Sequence, residues 1–295
     1  MKIFLIGAEG QIGNQIKKLY DDKLFELVYF NRHDLDITDF NKVKLLINRH
    51  KPNILVNAAA YTNVQQAESN SELADKINHL AIINLVNLCN DQKILLIHIS
   101  TDYVFDGKVN IPYKENDATN PLNIYGKTKR DGENKIIDNS KLFIILRTSW
   151  VFSDSPNNFV SKIQEKIKNE KMIEVVSDQY GCPTSANSIA NCILSISKYY
   201  LVKKEVKSGI YHYCGMPDTT WYIFATEILN KLKNFNQSLS KKIILPIKSN
   251  NLETNVLRPT FTKLNCKKIK AVFDIDQSDW RKDLEKLNLE NIYND

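Results

Sequence analysis

Five short apolar runs in the first half of the chain constrain its fold more than any other feature. Each run is continuously apolar instead of alternating with polar residues, which is typical of parallel strands buried on both faces. The runs are KIFLIG (2–7), LFELVYF (24–30), NILVNAA (53–59), ILLIHIS (94–100) and LFIILRTS (142–149). Segments with helical spacing lie between them, at 11–20, 40–49, 72–91 and 125–138. This order predicts an α/β fold with a doubly wound, Rossmann-like parallel sheet that binds ligands at the carboxyl ends of its strands.

The second half of the chain is less regular. Its spacing predicts helices at 157–170, 185–200, 219–234 and 278–288, with short strands near 173–177 and 209–213. We expect residues 1–150 to form a dinucleotide-binding Rossmann domain. We expect residues 151–295 to form a smaller α/β part that mainly binds the substrate, with segments that return to the first domain.

The composition excludes several other classes of protein. Hydrophobic residues make up 43% and charged residues 25%, and no apolar run approaches the length of a membrane helix, so we expect a soluble cytoplasmic protein. The net charge of +6 is spread along the chain without a recognisable nucleic-acid-binding module. Five widely spaced cysteines fit neither a disulfide framework nor a zinc cluster. The five histidines are also scattered, so the sequence predicts no metal site.

A glycine-rich turn follows the first predicted strand and opens a helix. The chain has only nine glycines, yet Gly7, Gly10 and Gly13 fall within the heptapeptide GAEGQIG. Glycine permits a tight turn and lets the backbone approach a pyrophosphate, which then binds at the N-terminus of the helix. The alternative is a tight turn that binds nothing. The scarcity of glycine elsewhere favours a dinucleotide site.

The end of the second predicted strand bears on the choice of cofactor. A dinucleotide with a free ribose hydroxyl usually meets an acidic residue at this place. Here the residues are Asn31 and Arg32. A guanidinium suits a 2′-phosphate, so the sequence favours NADPH, with NADH as the alternative. The alternative for Arg32 is a surface loop residue.

Tyrosine precedes lysine by four residues at three places, and that spacing puts both side chains on one face of a helix. The pairs are Tyr125/Lys129, Tyr199/Lys203 and Tyr200/Lys204. The first pair opens the helix after the fourth strand, whose carboxyl end carries Ser100 and Thr101. Only this pair is therefore expected to reach both a bound cofactor and a hydroxyl side chain.

Together, these motifs resemble the extended short-chain dehydrogenase/reductase family. The matching segments are GAEGQIG (7–13), NAAAYT (57–62), STDYVFDG (100–107) and YGKTK (125–129). Three further segments resemble the dTDP-4-dehydrorhamnose reductase branch of that family: RTSWVF (147–152), DQYGCPTSA (178–186) and LRP (257–259). The resemblance implies hydride transfer from NADPH to the C4 ketone of a nucleotide-linked 6-deoxysugar, dTDP-4-dehydro-L-rhamnose.

The resemblance also implies roles for individual residues. Tyr125 would donate the proton, Lys129 would lower the pKa of that phenol and bind the nicotinamide ribose, and Thr101 would orient the carbonyl. The residues implied in cofactor binding, besides Lys129 and Arg32, are Gly7, Gly10, Gln11, Ile12, Asp36, Ile37, Ala58, Ala59 and Tyr61. Those implied in substrate binding, besides Thr101 and Tyr125, are Tyr103, Trp150, Gln179 and Arg258.

Two positions differ from the motifs of related enzymes, and each argues against a particular activity or ligand. The segment Thr101-Asp102-Tyr103 lacks the Asp-Glu pair of nucleotide-sugar 4,6-dehydratases, which argues against elimination of water. Gln15 stands where some relatives carry a glutamate that holds magnesium between two subunits, so we predict no structural magnesium, and either a monomer or a homodimer. Two alternatives stay open: a 4-ketoreductase for another nucleotide-deoxysugar, and a non-catalytic NADP-binding regulatory subunit resembling the methionine adenosyltransferase β-subunit.

Overall fold

The structure, a computed structural model, describes residues 1–251 and 254–289. The strands and helices of the first half follow the predicted order. They are β1 (Lys2–Ile6), α1 (Gln11–Leu19), β2 (Glu26–Phe30), α2 (Phe40–His50), β3 (Ile54–Asn57), α3 (Val64–Ser69), α4 (Ser71–Asp75), α5 (Ala81–Gln92), β4 (Leu95–Thr101), α6 (Ile124–Asn139) and β5 (Phe143–Thr148). A π-helical turn joins α4 to α5, and a 3₁₀ turn follows β4.

The second half contains shorter strands and three longer helices. In chain order they are β6 (Val151–Phe152), α7 (Phe159–Asn169), β7 (Met172–Val176), β8 (Tyr180–Gly181), β9 (Thr184–Ser185), α8 (Ala186–Lys203), β10 (Gly209–His212), β11 (Thr219–Thr220), α9 (Trp221–Phe235), β12 (Ile243–Ile247), α10 (Lys267–Phe273) and α11 (Trp280–Glu285). Two further 3₁₀ turns flank β12.

Six parallel strands form the central sheet, in the order β10-β5-β4-β3-β1-β2. The chain runs from β1 outward to β2 and then returns to place β3 on the other side of β1. The carboxyl ends of β1 and β3 therefore flank the topological switch point, where doubly wound sheets bind their ligands. The predicted fold class is confirmed.

The alternation of side chains along each strand builds a core on both faces of the sheet. Leu5 packs in one cluster with Ile16 of α1 and Ile193 of α8, whereas its neighbour Phe4 packs in the opposite cluster with Ile47 of α2. Because both faces are covered by helices, both sets of strand side chains must be apolar. This is the physical reason for the continuous apolar runs in the sequence.

A third core lies in the second half of the chain. The parallel pair β7 and β12 packs with α7, α9 and α11 around Phe152, Phe224 and Trp280. Strand β10, in contrast, joins the central sheet beside β5. The proposed division of the chain at residue 150 stays a prediction.

Several small elements were not predicted. The two-residue strands β6, β8, β9 and β11 are too short to show a period. Pro246 lies within β12, and a proline normally argues against a strand. Helix α10 was not predicted either, because its two turns bury only Ile269 and Phe273, too few to show a helical period.

A buried ion pair ties α6 to β5. The guanidinium of Arg147 donates to Glu133 from Nη2 at 2.6 Å and from Nε at 2.9 Å. The two side chains are 3% and 1% exposed, and the ring of Phe105 lies 5.0 Å from the guanidinium carbon. Two charges removed from water in this way depend on each other, because either one alone would be buried without compensation.

We expect Glu133→Gln to lower the free energy of unfolding by about 3 kcal/mol, because it leaves the guanidinium of Arg147 buried without a counter-charge. Urea denaturation followed by circular dichroism measures this. Glu26→Gln is the matched control, since Glu26 pairs with Lys2 on the surface and should matter little. Equal effects of the two substitutions would contradict the assignment of the buried pair.

Candidate active site

A cavity of about 920 Å³ opens at the switch point of the sheet. Its wall is built from the residues that follow β1, β2, β3, β4 and β5, together with the starts of α6 and α9. Fifteen of the seventeen residues predicted for the site line it: Gly7, Gly10, Gln11, Ile12, Arg32, Asp36, Ile37, Ala58, Ala59, Tyr61, Thr101, Tyr103, Tyr125, Lys129 and Trp150.

The glycine turn brings the start of α1 against the ends of β1 and β3. Gly7 has φ of +85°, and a Cβ there would lie 2.6 Å from the amide nitrogen of Ala59. A Cβ on Gly13 would lie 2.2 Å from the carbonyl oxygen of Gly7. Since α1 begins at Gln11 without a side-chain cap, its first N–H groups are available to an anion in the cavity.

Arg32 and Asp36 lie after β2, at the other end of the cavity from α6. The Asp36 carboxylate accepts hydrogen bonds from the amide and the hydroxyl of Thr38, each at 2.8 Å. Partial burial raises the pKa of Asp36, but these hydrogen bonds and the charges of Arg32 and Lys76 outweigh it and lower the pKa overall. Asp36 is therefore an ionised carboxylate that can accept hydrogen bonds, and it lies near the exposed guanidinium of Arg32.

The N-terminus of α6 places Tyr125 next to the end of β4. Asn123 caps this helix through a hydrogen bond from the Gly126 amide at 2.9 Å. A Cβ on Gly126 would lie 2.2 Å from the carbonyl oxygen of Tyr103, so only glycine lets the helix start so close to the 3₁₀ turn. The rings of Tyr103 and Tyr125 meet edge to face, with centroids 5.9 Å apart.

Tyr125 is a neutral phenol in this environment. Burial raises its pKa, a hydrogen bond with Thr101 opposes that rise, and the negative charge of Asp102 adds to it. Burial is the largest of these influences, and the role of Lys129 in lowering this pKa, which the resemblance implies, stays a prediction. A neutral phenol is the form that can donate a proton.

The hydroxyl of Thr101 is engaged on both sides. It donates to Oδ1 of Asp102 at 3.1 Å and accepts from the amide of Tyr103 at 3.2 Å. Burial raises the pKa of Asp102 to about 7. Thr101 must therefore turn its proton away from Asp102 before it can donate to a ligand in the cavity.

Lys129 is buried one helical turn after Tyr125. Lys129 is only 2% exposed, and its Nζ donates a hydrogen bond to the carbonyl oxygen of Ile99 at 2.7 Å. Nζ also lies 3.1 Å from Nε2 of His98. Burial lowers the pKa of Lys129 to about 8, although the carboxylate of Glu133 acts in the opposite direction.

Two stacked tryptophans close the part of the cavity that belongs to the second half of the chain. The rings of Trp150 and Trp221 are nearly parallel, with centroids 3.5 Å apart. Trp150 has φ of +44°, and a Cβ on Gly181 would lie 2.4 Å from its ring. Trp221 was not predicted for the site, because nothing in its local sequence distinguishes it from a core aromatic at the start of a helix.

Gln179 and Arg258 do not line the cavity. Gln179 is buried and donates from Nε2 to the hydroxyl of Ser249 at 3.0 Å. Burial raises the pKa of Tyr103 to about 12, although the positive charge of Arg258 acts to lower it. The guanidinium Nε of Arg258 is buried without a hydrogen-bond partner. Their substrate-binding roles stay predictions.

The structure also shows where the remaining predicted features lie. The tyrosines at 199 and 200 lie near the end of α8 and do not line the cavity. All five cysteines are buried free thiols. Within residues 1–251 and 254–289, no group of three or more His, Cys, Asp or Glu side chains could hold a metal ion. Over the same residues, no helix is both long and apolar enough to cross a membrane.

Comparison with known proteins identifies the family. The family described as the RmlD substrate binding domain matches residues 1–292. The chain belongs to this family. It is 36% identical over 293 residues to a dTDP-4-dehydrorhamnose reductase of Aggregatibacter actinomycetemcomitans, covering 97% of this chain and 98% of that protein.

Two other relatives bear on the cofactor and the substrate. The crystal structure of dTDP-4-dehydrorhamnose reductase from Bacillus anthracis in complex with NADP matches with a TM-score of 0.87 at 28% identity, covering 97% of this chain and 98% of that one. A dTDP-4-keto-6-deoxy-D-glucose reductase of Streptomyces niveus is 33% identical over 262 residues, covering 88% of this chain and 86% of that protein. The predicted family is confirmed, and the chain is an oxidoreductase of this family. The roles of individual residues stay predictions.

Burial of Lys129 should appear in the pH dependence of stability. Below about pH 8 both folded and unfolded chains carry the proton, and the folded state bears the full unfavourable burial of the charge. Between about pH 8 and 10.4 only the unfolded chain keeps the proton, so stability rises with pH. We expect the unfolding free energy of the wild type, relative to Lys129→Met, to rise by about 3 kcal/mol across this window.

Urea denaturation of both proteins at several pH values measures this difference, and subtraction of the variant cancels the titration of the other groups. Lys44→Met, on the exposed face of α2, is the control and should run parallel to the wild type. A flat difference for Lys129→Met would mean that Lys129 keeps an ordinary pKa.

Proposed function

We propose that this protein reduces the C4 ketone of dTDP-4-dehydro-L-rhamnose to dTDP-L-rhamnose with a hydride from NADPH, in nucleotide-sugar biosynthesis. One observation carries the proposal: Thr101, Tyr125 and Lys129 meet at the wall of a cavity that begins at a glycine-rich helix N-terminus. The names of the relatives from Aggregatibacter actinomycetemcomitans and Bacillus anthracis, the latter in complex with NADP, support the same reaction.

The residues along the cavity fit an extended dinucleotide. The N-terminus of α1, with Gly7, Gly10, Gln11 and Ile12, holds the pyrophosphate. The residues after β2 (Arg32, Asp36 and Ile37) hold the adenosine end, where Arg32 binds the 2′-phosphate. Ala58, Ala59 and Tyr61, together with Lys129, surround the nicotinamide ribose. Bound there, NADPH supplies the hydride at the Tyr125 end of the cavity.

Tyr125 supplies the proton that the reaction needs. The alkoxide that forms at C4 is a strong base, and the neutral phenol of Tyr125 protonates it. Lys129 lies on the same face of α6 and stabilises the phenolate that results. Thr101 turns its hydroxyl from Asp102 to the ketone and orients it.

The second half of the chain binds the sugar nucleotide. We infer that residues 151–295 form mainly this part and that residues 1–150 form the cofactor domain. Trp221 of this part presents a flat surface to the substrate, together with Trp150 and Tyr103 from the first part. Arg258 and Gln179, which do not line the cavity, also contribute to substrate binding. The protein acts in the cytoplasm, without nucleic acid or membrane, as a monomer or homodimer.

A second candidate substrate is another 4-keto-6-deoxysugar linked to dTDP. The Streptomyces niveus relative is named for dTDP-4-keto-6-deoxy-D-glucose, which is the reason to test it. The same three residues would act on either ketone. Steady-state kcat/KM for the two sugar nucleotides, each made enzymatically in situ, decides between them.

We expect Tyr125→Phe to lower kcat by at least about 100-fold, because it removes the proton donor and leaves the ring in place. Oxidation of NADPH with dTDP-4-dehydrorhamnose, followed by absorbance, measures this, with product analysis for rhamnose. Tyr200→Phe is the matched control, because Tyr200 also precedes a lysine by four residues but lies at the end of α8. It should keep full activity.

Two other outcomes would contradict parts of this proposal. Full activity of Tyr125→Phe would remove Tyr125 as the donor while keeping the reductase. Tight NADPH binding without oxidation by any sugar nucleotide would favour the regulatory subunit.

We expect Arg32→Ala to raise the Kd for NADPH by about tenfold and to leave the Kd for NADH unchanged, because only NADPH carries the 2′-phosphate. Fluorescence titration of the reduced cofactor measures both constants. Arg49→Ala, on α2, is the control for a general loss of positive charge. Equal weakening of both cofactors would place Arg32 away from the 2′-phosphate.

A further inference from the structure

Asn123, the residue before α6, makes a second contact that capping the helix does not require. Its Oδ1 accepts a hydrogen bond from the Gly126 amide at 2.9 Å, which is the cap. Its Nδ2 donates to the carbonyl oxygen of Leu257, 134 residues later in the chain, at 2.9 Å. Asn123 is only 7% exposed. One buried amide therefore joins the start of the tyrosine helix to the segment that carries Arg258.

The amide of Asn123 has one orientation that satisfies both neighbours. Turning it over would place its NH₂ group against the Gly126 N–H and its oxygen against the carbonyl oxygen of Leu257. Two donors would then face each other on one side, and two acceptors on the other. The contact with Leu257 is thus a directed hydrogen bond from a side chain to the backbone.

The segment around Arg258 is anchored on both sides of that residue. Before it, the carbonyl oxygen of Leu257 accepts from Asn123, while the Leu257 side chain is 67% exposed and packs little. After it, the hydroxyl of Thr260 donates to the carbonyl oxygen of Gly107 at 3.0 Å. The backbone of Arg258 is thereby held between the start of α6 and the loop after β4.

Asn123 also fixes the tyrosine that Arg258 faces. The capped Gly126 lies so close to Tyr103 that a Cβ on the glycine would be 2.2 Å from the tyrosine carbonyl oxygen. The positive charge of Arg258 acts to lower the pKa of Tyr103, so the guanidinium lies near the phenol. The ring of Tyr103 in turn meets the ring of Tyr125 edge to face in the wall of the cavity. The positions of Arg258 and Tyr125 therefore both depend on Asn123.

The guanidinium of Arg258 is able to bind a further acceptor. Its Nε is buried and has no hydrogen-bond partner among residues 1–251 and 254–289. A buried donor without an acceptor is unfavourable, and the fork of guanidinium donors matches the oxygens of a phosphate. A nucleotide sugar carries a diphosphate between its base and its sugar. Arg258 is therefore suited to a part of the substrate that does not react.

We propose that Asn123 is a positioning residue for substrate binding, which holds Arg258 at a fixed distance from Tyr125. This inference rests on the proposed function for the identity of the substrate, whose ketone meets Tyr125 while its diphosphate meets Arg258. A contact with an unreacting part of the substrate is equally strong in the ground state and the transition state. Its loss raises KM and leaves kcat unchanged.

The substitution Asn123→Ser separates the two roles of the amide. Serine caps helices as well as asparagine does, and the Ile124 amide keeps its own acceptor, the carboxylate of Glu68 at 2.8 Å. The short hydroxyl cannot reach Leu257 while it accepts from Gly126. We expect the KM for dTDP-4-dehydrorhamnose to rise about fivefold or more, with kcat and the Kd for NADPH within about twofold of the wild type.

A double-mutant cycle shows whether Asn123 acts through Arg258. Arg258→Ala should raise KM more than Asn123→Ser does, and combining the two should raise it no further. Asn120→Ser is the matched control, because Asn120 lies in the same loop but donates to Asp106 on the surface, and it should leave KM unchanged. Effects that multiply in the double variant, or a lowered kcat with an unchanged KM, would overturn the proposal.

Two measurements without turnover separate this inference from the proposed function. Hydrogen exchange read by mass spectrometry should become faster over residues 254–262 in Asn123→Ser and stay unchanged over α6. Calorimetric titration with dTDP, the unreacting part of the substrate, should give a Kd about fivefold higher than that of the wild type. These two results without any oxidation of NADPH would overturn the proposed reaction and keep the positioning role. Unchanged exchange, an unchanged Kd for dTDP, or a wild type that does not bind dTDP would overturn the positioning role.

Discussion

The approach of the glycine turn to the end of β3 fixes the position of every group around the cavity. Gly7 and Gly13 leave no space for a side chain where β1, β3 and α1 meet. The carboxyl ends of parallel strands lie at the same edge of a sheet. Thr101, at the end of β4, therefore lies at the same edge as the ends of β1 and β3, and α6 starts next to it. A shift of α1 outward would move the N-terminus of this helix away from Tyr125. The geometry of the cavity therefore depends on backbone contacts that involve no side chain.

Much of this arrangement could be predicted from the sequence. The central strands follow from apolar runs, because a sheet covered on both faces needs apolar residues at every position. The Tyr125/Lys129 pair could be separated from two other pairs with the same spacing, because only one follows a strand that ends in hydroxyl residues. These inferences succeed because the information is local: a period, a spacing, or the order of elements along the chain.

Other features could not be predicted, for a physical reason. The stacking of Trp221 on Trp150 joins residues that are far apart in sequence, and neither neighbourhood contains a signal for the other. His98 contacts Asn57 and Lys129, which lie on two other elements, and nothing in its local sequence points to either partner. Burial also raises the pKa of Tyr125, and burial is a property of the whole fold.

The position of β10 has a consequence for how the protein is made. This strand covers the edge of β5, yet it lies about sixty residues later in the chain. During synthesis the first five strands leave the ribosome with that edge open, and the sheet is completed only when His212 has emerged. The hydrogen bonding of the central sheet is therefore complete only after residues 209–212 have been synthesised. Until then the open edge of β5 can pair with other strands, so the nascent chain is prone to aggregation during this interval.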